Sequence, residues 1–336
     1  MKKSKHILII RLSAMGDVAM AVPVLRELKK ANSSYKISIL TNAHYFCFFR
    51  EFNDLNLIKF DKKQRHKGLI GLIRLYKELS KLEIDYVIDL HNVLRTKFLK
   101  LLFKIPFYQI DKGRLEKQKL TSGKVFKALK NTHQRYRDVF NKLGVIITPL
   151  INPQVDKVNI SNLKIRSDNN PIKTIGIAPF SAHKGKVYSI KQMEAVIKDL
   201  NSDFSIFLFG GGQKEENSLD KLASKYTNVV NLANKHSLDK QMDIMSNLNI
   251  MVSMDSANGH IAALLGVNVL TIWGLTHPYA GFSPYGQKDN NNIMVKRSKF
   301  PKIPTSIYGN KIPAGYENAI NSITSKEVIS RIRELI

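Results

Sequence analysis

A chain of 336 residues with 43% hydrophobic content and a formal net charge of +26 can bury two ordinary cores, which excludes a disordered chain, and its charge calls for anionic surroundings: nucleic acid, an anionic membrane surface or a phosphorylated substrate. The single cysteine, Cys47, excludes an internal disulfide and a cysteine-based metal cluster and suits a reducing cytoplasm. The basic lead ends in an apolar run, Ile7 to Ile10, that Arg11 cuts short of a signal peptide, and no stretch reaches the ~18 apolar residues of a membrane span, so any membrane contact is expected to be peripheral.

In chain order, Ile7 to Leu12 reads as a short buried strand and Ser13-Ala14-Met15-Gly16-Asp17 as the loop after it. Val18 to Ala31 carries apolar residues at helical spacing and ends in Lys29 and Lys30, so the chain opens on a βα unit. Lys36 to Thr41 and Leu55 to Phe60 read as strands, Leu69 to Leu82 as an amphipathic helix, and Tyr86 to Leu90 as a strand leading into His91 and Asn92. From Asn92 to Gly144 the chain is helical in pattern and dense in lysine and arginine, which forms a basic face or a merely solvated one. Between Val145 and Lys173 the pattern weakens around Pro149, Pro153 and Pro171, and the domain boundary is expected there, giving domains at 1–160 and 161–336.

Alternation then restarts. Strands are expected at Thr174 to Ala178, Ser205 to Phe209 and near Val229, with helices at Ile190 to Leu200, Lys214 to Tyr226 and Leu238 to Leu248. Ile250 to Thr276 reads as strand, turn, helix, strand. Its turn, Asp255-Ser256-Ala257-Asn258-Gly259-His260, would leave backbone N–H groups at a helix start beside the carboxyl edge of a parallel sheet, a place for a phosphate; an ordinary crossover with Asp255 or Ser256 as N-cap reads equally well. Lys326 to Ile336 is expected as a last helix. The whole predicts an α/β protein of two doubly wound, Rossmann-like parallel sheets facing each other across an interdomain cleft.

Four stretches in register, IIRLSAMGDVAMAVPVLREL, FSAHKGKVYS, FGGGQKEE and SMDSANGHIAALLGVNVLTIWGLTHP, resemble the heptosyltransferases of lipopolysaccharide core synthesis, glycosyltransferase family nine. The resemblance spans both halves. It implies the GT-B fold, an N-terminal acceptor domain, a C-terminal domain for the donor ADP-heptose, and inverting transfer to an acidic, lipid-anchored glycan acceptor without metal or other cofactor. The chain departs from the family at Ala257, where glycine is usual, and a methyl there could tighten or spoil an approach to phosphate.

The resemblance implies roles that the chemistry accommodates. Asp17 would be the general base, with capping of the helix at Val18 as the alternative. On the donor side Ser181 and Lys186 would meet the diphosphate, with Lys184 as the rival lysine, together with the helix start at Ser256 and Ala257. Glu215 or Glu216 would face the nucleoside, and Asp255 and His260 the donor sugar. Arg11, Ser13, His91, Asn92, Arg95, His133 and Arg137 would serve the acceptor, whose carboxylates and phosphates suit cations. The positive charge would also dock the protein on the anionic inner-membrane surface from the cytoplasm, as a monomer. The competing readings are a GT-B transferase with another nucleotide sugar and a basic nucleic-acid-binding protein; the latter lacks any helix-turn-helix, zinc or aromatic RNA-binding signature, so no nucleic-acid partner is expected.

Overall fold

The computed structural model describes residues 4–32, 34–150 and 173–336. The chain divides into two compact units, Met1–Lys112 with Thr132–Ile151, and Gly113–Asn131 with Asn152–Ile336. The boundary expected between 160 and 161 lies outside the described residues. One segment departs from a single cut: Gly113–Asn131 belongs to the second unit although it precedes the end of the first.

The first unit is built on β1 (His6–Ile10), β2 (Lys36–Thr41), β3 (Leu55–Lys59), β4 (Tyr86–Asp89) and β5 (Phe107–Gln109), all parallel, in the order β3-β2-β1-β4-β5. Every residue of β1 is buried, as a central strand covered on both faces requires, and this is why its sequence is a continuous apolar run rather than an alternating one. The helices are α1 (Met15–Ala19), α2 (Ala21–Ala31), α3 (Gly68–Ser80), α4 (Leu94–Leu102) and α6 (Thr132–Asn141), with α5 (Arg114–Thr121) in the segment that joins the second unit. Pro23 sits in the first turn of α2, where its missing N–H costs no helical bond, and Lys29 and Lys30 end the same helix against its dipole. The first helix starts at Met15, three residues before the expected Val18. The short β5 was hidden in a basic, helix-patterned stretch.

The second unit repeats the architecture with β6 (Thr174–Ala178), β7 (Ser205–Leu208), β8 (Val229–Asn231), β9 (Ile250–Met254), β10 (Asn268–Trp273) and β11 (Asn292–Met294), parallel and ordered β11-β10-β9-β6-β7-β8. Its helices are α7 (Ile190–Leu200), α8 (Gln213–Ala223), α9 (Leu238–Met245), α10 (Ala257–Leu264) and α11 (Ser325–Leu335). Hydroxyl caps start three of them: Ser189 accepts from the Gln192 N–H, Ser237 from Lys240 and Thr324 from Glu327. Each unit has its own core, one centred on Leu8, Ile10, Leu75 and Val87, the other on Ile177, Leu208, Val252 and Ile272.

In both sheets the strand order reverses at the middle. β1 runs outward to β2 and β3 while its other neighbour, β4, begins the opposite wing; β6 and β9 stand in the same relation. The loops leaving adjacent strands at such a reversal diverge and open a crevice at the carboxyl edge, the usual ligand position in this architecture. Most of the candidate residues lie in or beside the loops at these two places; Glu215 and Glu216 open α8, and His133 and Arg137 lie in α6.

Candidate active site

At the reversal in the second sheet, the loop after β6 carries Ser181 and Lys186 and the turn after β9 carries Asp255 and Ser256. Asp255 is 8% exposed, and one of its carboxylate oxygens accepts from Lys186 Nζ at 3.1 Å and from Thr276 Oγ1 at 2.9 Å. A carboxylate so deep needs both partners to offset its lost hydration. Ser181 Oγ donates to the Asp255 carbonyl at 3.1 Å, which ties the two loops together. Lys184 is exposed, whereas the Lys186 side chain is 13% exposed, so the cation aimed into the crevice is Lys186. Its stem runs over Gly309, where a Cβ would lie 2.5 Å from Lys186 Cγ and where φ is +72°; a larger residue at that position would push the lysine out of place.

Beside this pair begins α10. Ser256 occupies its N-cap position, yet no side chain caps its first turn among the described residues. The Ser256 hydroxyl pairs instead with Ser253 Oγ at 3.1 Å. The first-turn N–H groups and the positive end of the helix dipole therefore face the crevice beside Lys186, an arrangement that holds an anion. Ala257 is the first residue of α10 and is partly exposed, and His260, one turn on, is 8% exposed. Glu215 and Glu216 open α8 after the glycine turn. Glu215 folds back to accept the Gly211 N–H at 2.8 Å, and Glu216 accepts from Asn234 Nδ2 at 3.0 Å; both carboxylates fasten the local loop.

At the reversal in the first sheet, Asp17 sits at the third position of α1 and accepts the Ala14 N–H at 3.4 Å. It is thus part of the helix start, though at its third position rather than as N-cap. Its carboxylate pairs with Arg11, whose side chain is 8% exposed while that of Asp17 is 28% exposed. Arg11 is held further by the Leu90 carbonyl at 2.5 Å and lies over the Tyr136 ring at 5.9 Å. The Tyr136 hydroxyl donates to the Asp17 carbonyl at 3.1 Å, and burial raises this phenol above its usual range, so it remains a donor. After β4, the fully buried Asp89 accepts the N–H groups of His91 and Asn92, each at 2.9 Å, and Gln109 Nε2 at 2.8 Å. Asn92 adopts a left-handed φ of 42°, a conformation asparagine tolerates better than most residues. Burial, reinforced by the Arg11 guanidinium, pushes the His91 imidazole down to about 3, so it is neutral at physiological pH. The buried Arg11 Nε, His91 Nδ1 and Asn92 Oδ1 have no hydrogen-bond partner among the described residues. Buried polar atoms of this kind are normally satisfied, and three at one sheet edge fit a polar ligand.

The structure therefore brings Arg11, Asp17, His91 and Asn92 together at one edge and Ser181, Lys186, Asp255, Ser256 and Ala257 at the other. Ser13 and Arg95 are exposed near the first edge. His133 is buried in α6 at 3% exposure. Arg137 differs most from expectation: it grips the buried Glu27 with two bonds of 2.6 and 2.7 Å, a pair that fastens α6 to α2 and commits the guanidinium to the fold. Gln109 and Thr276 escaped the sequence reading because each acts on a carboxylate about twenty positions away, Asp89 and Asp255. So did a cluster at the mouth of the second unit, where Phe126 meets His277 edge-on at 5.1 Å and Arg297 lies 3.5 Å from the Phe126 ring centre.

Comparison with known proteins accounts for this arrangement. The sequence pattern of glycosyltransferase family 9 (heptosyltransferase) matches residues 72–309. The chain is similar to the lipopolysaccharide core heptosyltransferase OpsX of Haemophilus influenzae, with 24% identity over 302 residues that cover 85% of this chain and 83% of that protein. Its fold is similar to that of the glycosyl transferase family 9 protein of Veillonella parvula, with a TM-score of 0.76 at 19% identity over 100% of this chain and 98% of the other. It is also similar to that of the E. coli heptosyltransferase WaaC solved with ADP-2-deoxy-2-fluoro heptose, with a TM-score of 0.69 at 18% identity over 98% of this chain and 100% of the other. Two parallel α/β units and a family pattern covering more than half of its length place this glycosyltransferase in family 9, the heptosyltransferases.

Proposed function

We propose that this protein transfers a heptose from ADP-heptose, with inversion, to the lipid-anchored inner core of lipopolysaccharide, working in the cytoplasm at the inner-membrane surface. The observation that carries the reading is the Lys186–Asp255–Thr276 constellation beside the uncapped start of α10. It offers one cation and one positive dipole end to a diphosphate, with a carboxylate and a hydroxyl left for sugar hydroxyls. When donor binds, Lys186 Nζ exchanges part of its contact with Asp255 for phosphate oxygens, and Asp255 becomes available to the sugar. Ser181 and the N–H groups at Ala257 complete the phosphate contacts. The relatives support the donor: WaaC was solved with an ADP-heptose analogue and OpsX is a lipopolysaccharide core enzyme.

Transfer then proceeds by one displacement. The acceptor oxygen bonds to the anomeric carbon, its proton passes to the Asp17 carboxylate, and the anomeric carbon–oxygen bond breaks with its electron pair leaving on ADP. Lys186 and the α10 dipole stabilise the charge growing on the departing phosphate, so the cation works hardest in the transition state. Arg11 holds the Asp17 carboxylate in place, and Tyr136 holds its backbone. The unpartnered Arg11 Nε, His91 Nδ1 and Asn92 Oδ1 suit the hydroxyls and acidic groups of a core sugar.

A thermal-shift comparison of ADP-, UDP- and GDP-sugars tests the reading. Selective stabilisation by ADP-heptose is expected, and a preference for a uridine or guanosine donor would overturn it in favour of a different envelope glycan.

A further inference from the structure

The first unit leaves large apolar side chains in solvent on two neighbouring helices. On α3, Leu69, Ile70 and Ile73 are 63%, 77% and 40% exposed, and on α4, Leu94 and Leu101 are 85% and 82% exposed. The two helices pack on each other, and Tyr76 of α3 meets Phe103, just beyond α4, edge-on at 5.1 Å. Helical spacing sets Ile70, Ile73 and Lys77 in one row of α3, and Leu94, Lys97 and Leu101 in one row of α4. Their opposite faces, with Leu72, Leu75 and Leu79 on one helix and Thr96 and Leu99 on the other, are buried. Both helices already serve the core, so these exposed rows are surplus to folding.

The surroundings say what the rows meet. Lys67, Arg74, Lys77, Lys97 and Lys100 are exposed on or beside the same two helices. Helix α4 has no carboxylate, and the one on α3, Glu78, is paired with Arg65 and His66. Apolar side chains fringed by cations, without opposing acids, match the boundary of an anionic bilayer, where side chains enter between the headgroups and the cations meet lipid phosphates.

We propose that the exposed rows of α3 and α4 are the surface by which this protein docks on an anionic lipid bilayer. The proposal deepens the reading of a lipid-anchored acceptor and rests on it for its purpose: Leu94 follows the candidate acceptor residue Asn92 by two positions, so docking here brings that sheet edge to membrane level. Its test does not need that reading. Trp273, the chain's one tryptophan, is 1% exposed and donates to Asn292 at 2.7 Å, so Ile70→Trp adds a solvent-facing fluorophore against a buried background. With vesicles containing phosphatidylglycerol, Ile70→Trp emission is expected to shift to the blue, and with pure phosphatidylcholine it is not. The double variant Ile70→Glu/Leu101→Glu is expected to bind anionic vesicles at least about 10-fold more weakly. It should melt like the wild type and turn over a water-soluble, lipid-free acceptor at the wild-type rate. Absence of vesicle binding by the wild type, equal binding by the double variant, or a concentration-dependent dimer that the double variant abolishes would each overturn the proposal. Failure of ADP-heptose transfer on the soluble acceptor alongside intact vesicle binding would instead count against the proposed reaction.

Discussion

Replacing Asp17 by Asn separates the role proposed for this side chain, general base, from the one the structure shows, a partner of Arg11 at the start of α1. As general base it must accept a proton, which an amide cannot do, and a lost general base lowers turnover by roughly 100-fold or more. As a structural group it accepts the Ala14 N–H at 3.4 Å and pairs with an Arg11 side chain that is only 8% exposed. The asparagine oxygen keeps a contact to Arg11 but not its charge. Removing one member of a fully buried pair costs about 3 to 5 kcal/mol; Asp17 is 28% exposed and Arg11 keeps the Leu90 carbonyl, so a loss of about 1 to 2 kcal/mol is expected here. The assay measures turnover with a soluble acceptor, donor affinity by calorimetry, and the melting curve on one preparation. The expected pattern is turnover down by about 100-fold, donor affinity near wild type, and a lowered Tm. Because a stability loss is expected, Arg11→Met serves as the control that breaks the same pair while keeping the carboxylate. If Asp17→Asn retains near-normal turnover while Arg11→Met destabilises equally, Asp17 is a fold residue and the assignment of the base fails.

The remaining predictions use the same geometry. Lys186→Ala should weaken donor binding by about 10-fold or more, the loss of one charged hydrogen bond, and Lys184→Ala should not; equal effects in calorimetry would reverse the choice between them. Transfer should continue in excess EDTA if, as proposed, Lys186 and the start of α10 supply the positive charge at the leaving group; loss of activity restored by magnesium would refute this. Acid should destabilise the protein through His91 and His277. Burial lowers the first to about 3 and the second, with help from Arg297, to about 4, against 6.5 when unfolded. Their neutral forms therefore favour folding above pH 6.5, and that contribution is lost as pH falls, because the unfolded chain binds the proton first. Between pH 7 and 5 each should cost about 2 kcal/mol, so His91→Gln should flatten the acid side of a denaturant-midpoint profile; an unchanged slope would show that this imidazole is not held neutral.

How much of this was legible in the sequence depends on the range of the interaction. Short apolar runs such as Ile7–Ile10 and Ile250–Val252, each closed by turn residues, read as doubly covered parallel strands, so the two sheets and most helix bounds could be read directly. The loops after β1, β4, β6 and β9 were readable as lying at the carboxyl edges of the sheets, because strand-to-helix turns of a parallel sheet fall there whatever their sequence. What each side chain does there was not readable. Arg137 and Arg11 are both arginines in basic company, yet one is fixed on Glu27, 110 positions away, and the other on Asp17, six away. Glu215 looked like a ligand carboxylate and turns back on its own loop. The choice between Lys184 and Lys186 needed the backbone, since only one of two lysines spaced by Gly185 can lie over Gly309.

The reassignment of Gly113–Asn131 to the second unit has a practical consequence. The chain changes units at 112, at 131 and again near 151, so no single cut yields two self-sufficient pieces. A fragment beginning after residue 151 would lack the Leu129 N–H that donates to Tyr279, the Phe126 ring that covers His277, and the Lys130 backbone that Gly281 is shaped to admit. It would leave His277, whose neutral state depends on burial, open to water next to Thr276, a partner of Asp255. A fragment made that way should therefore gain stability from a synthetic peptide spanning 113–131 added in trans, which would make the segment a complementing piece rather than a linker.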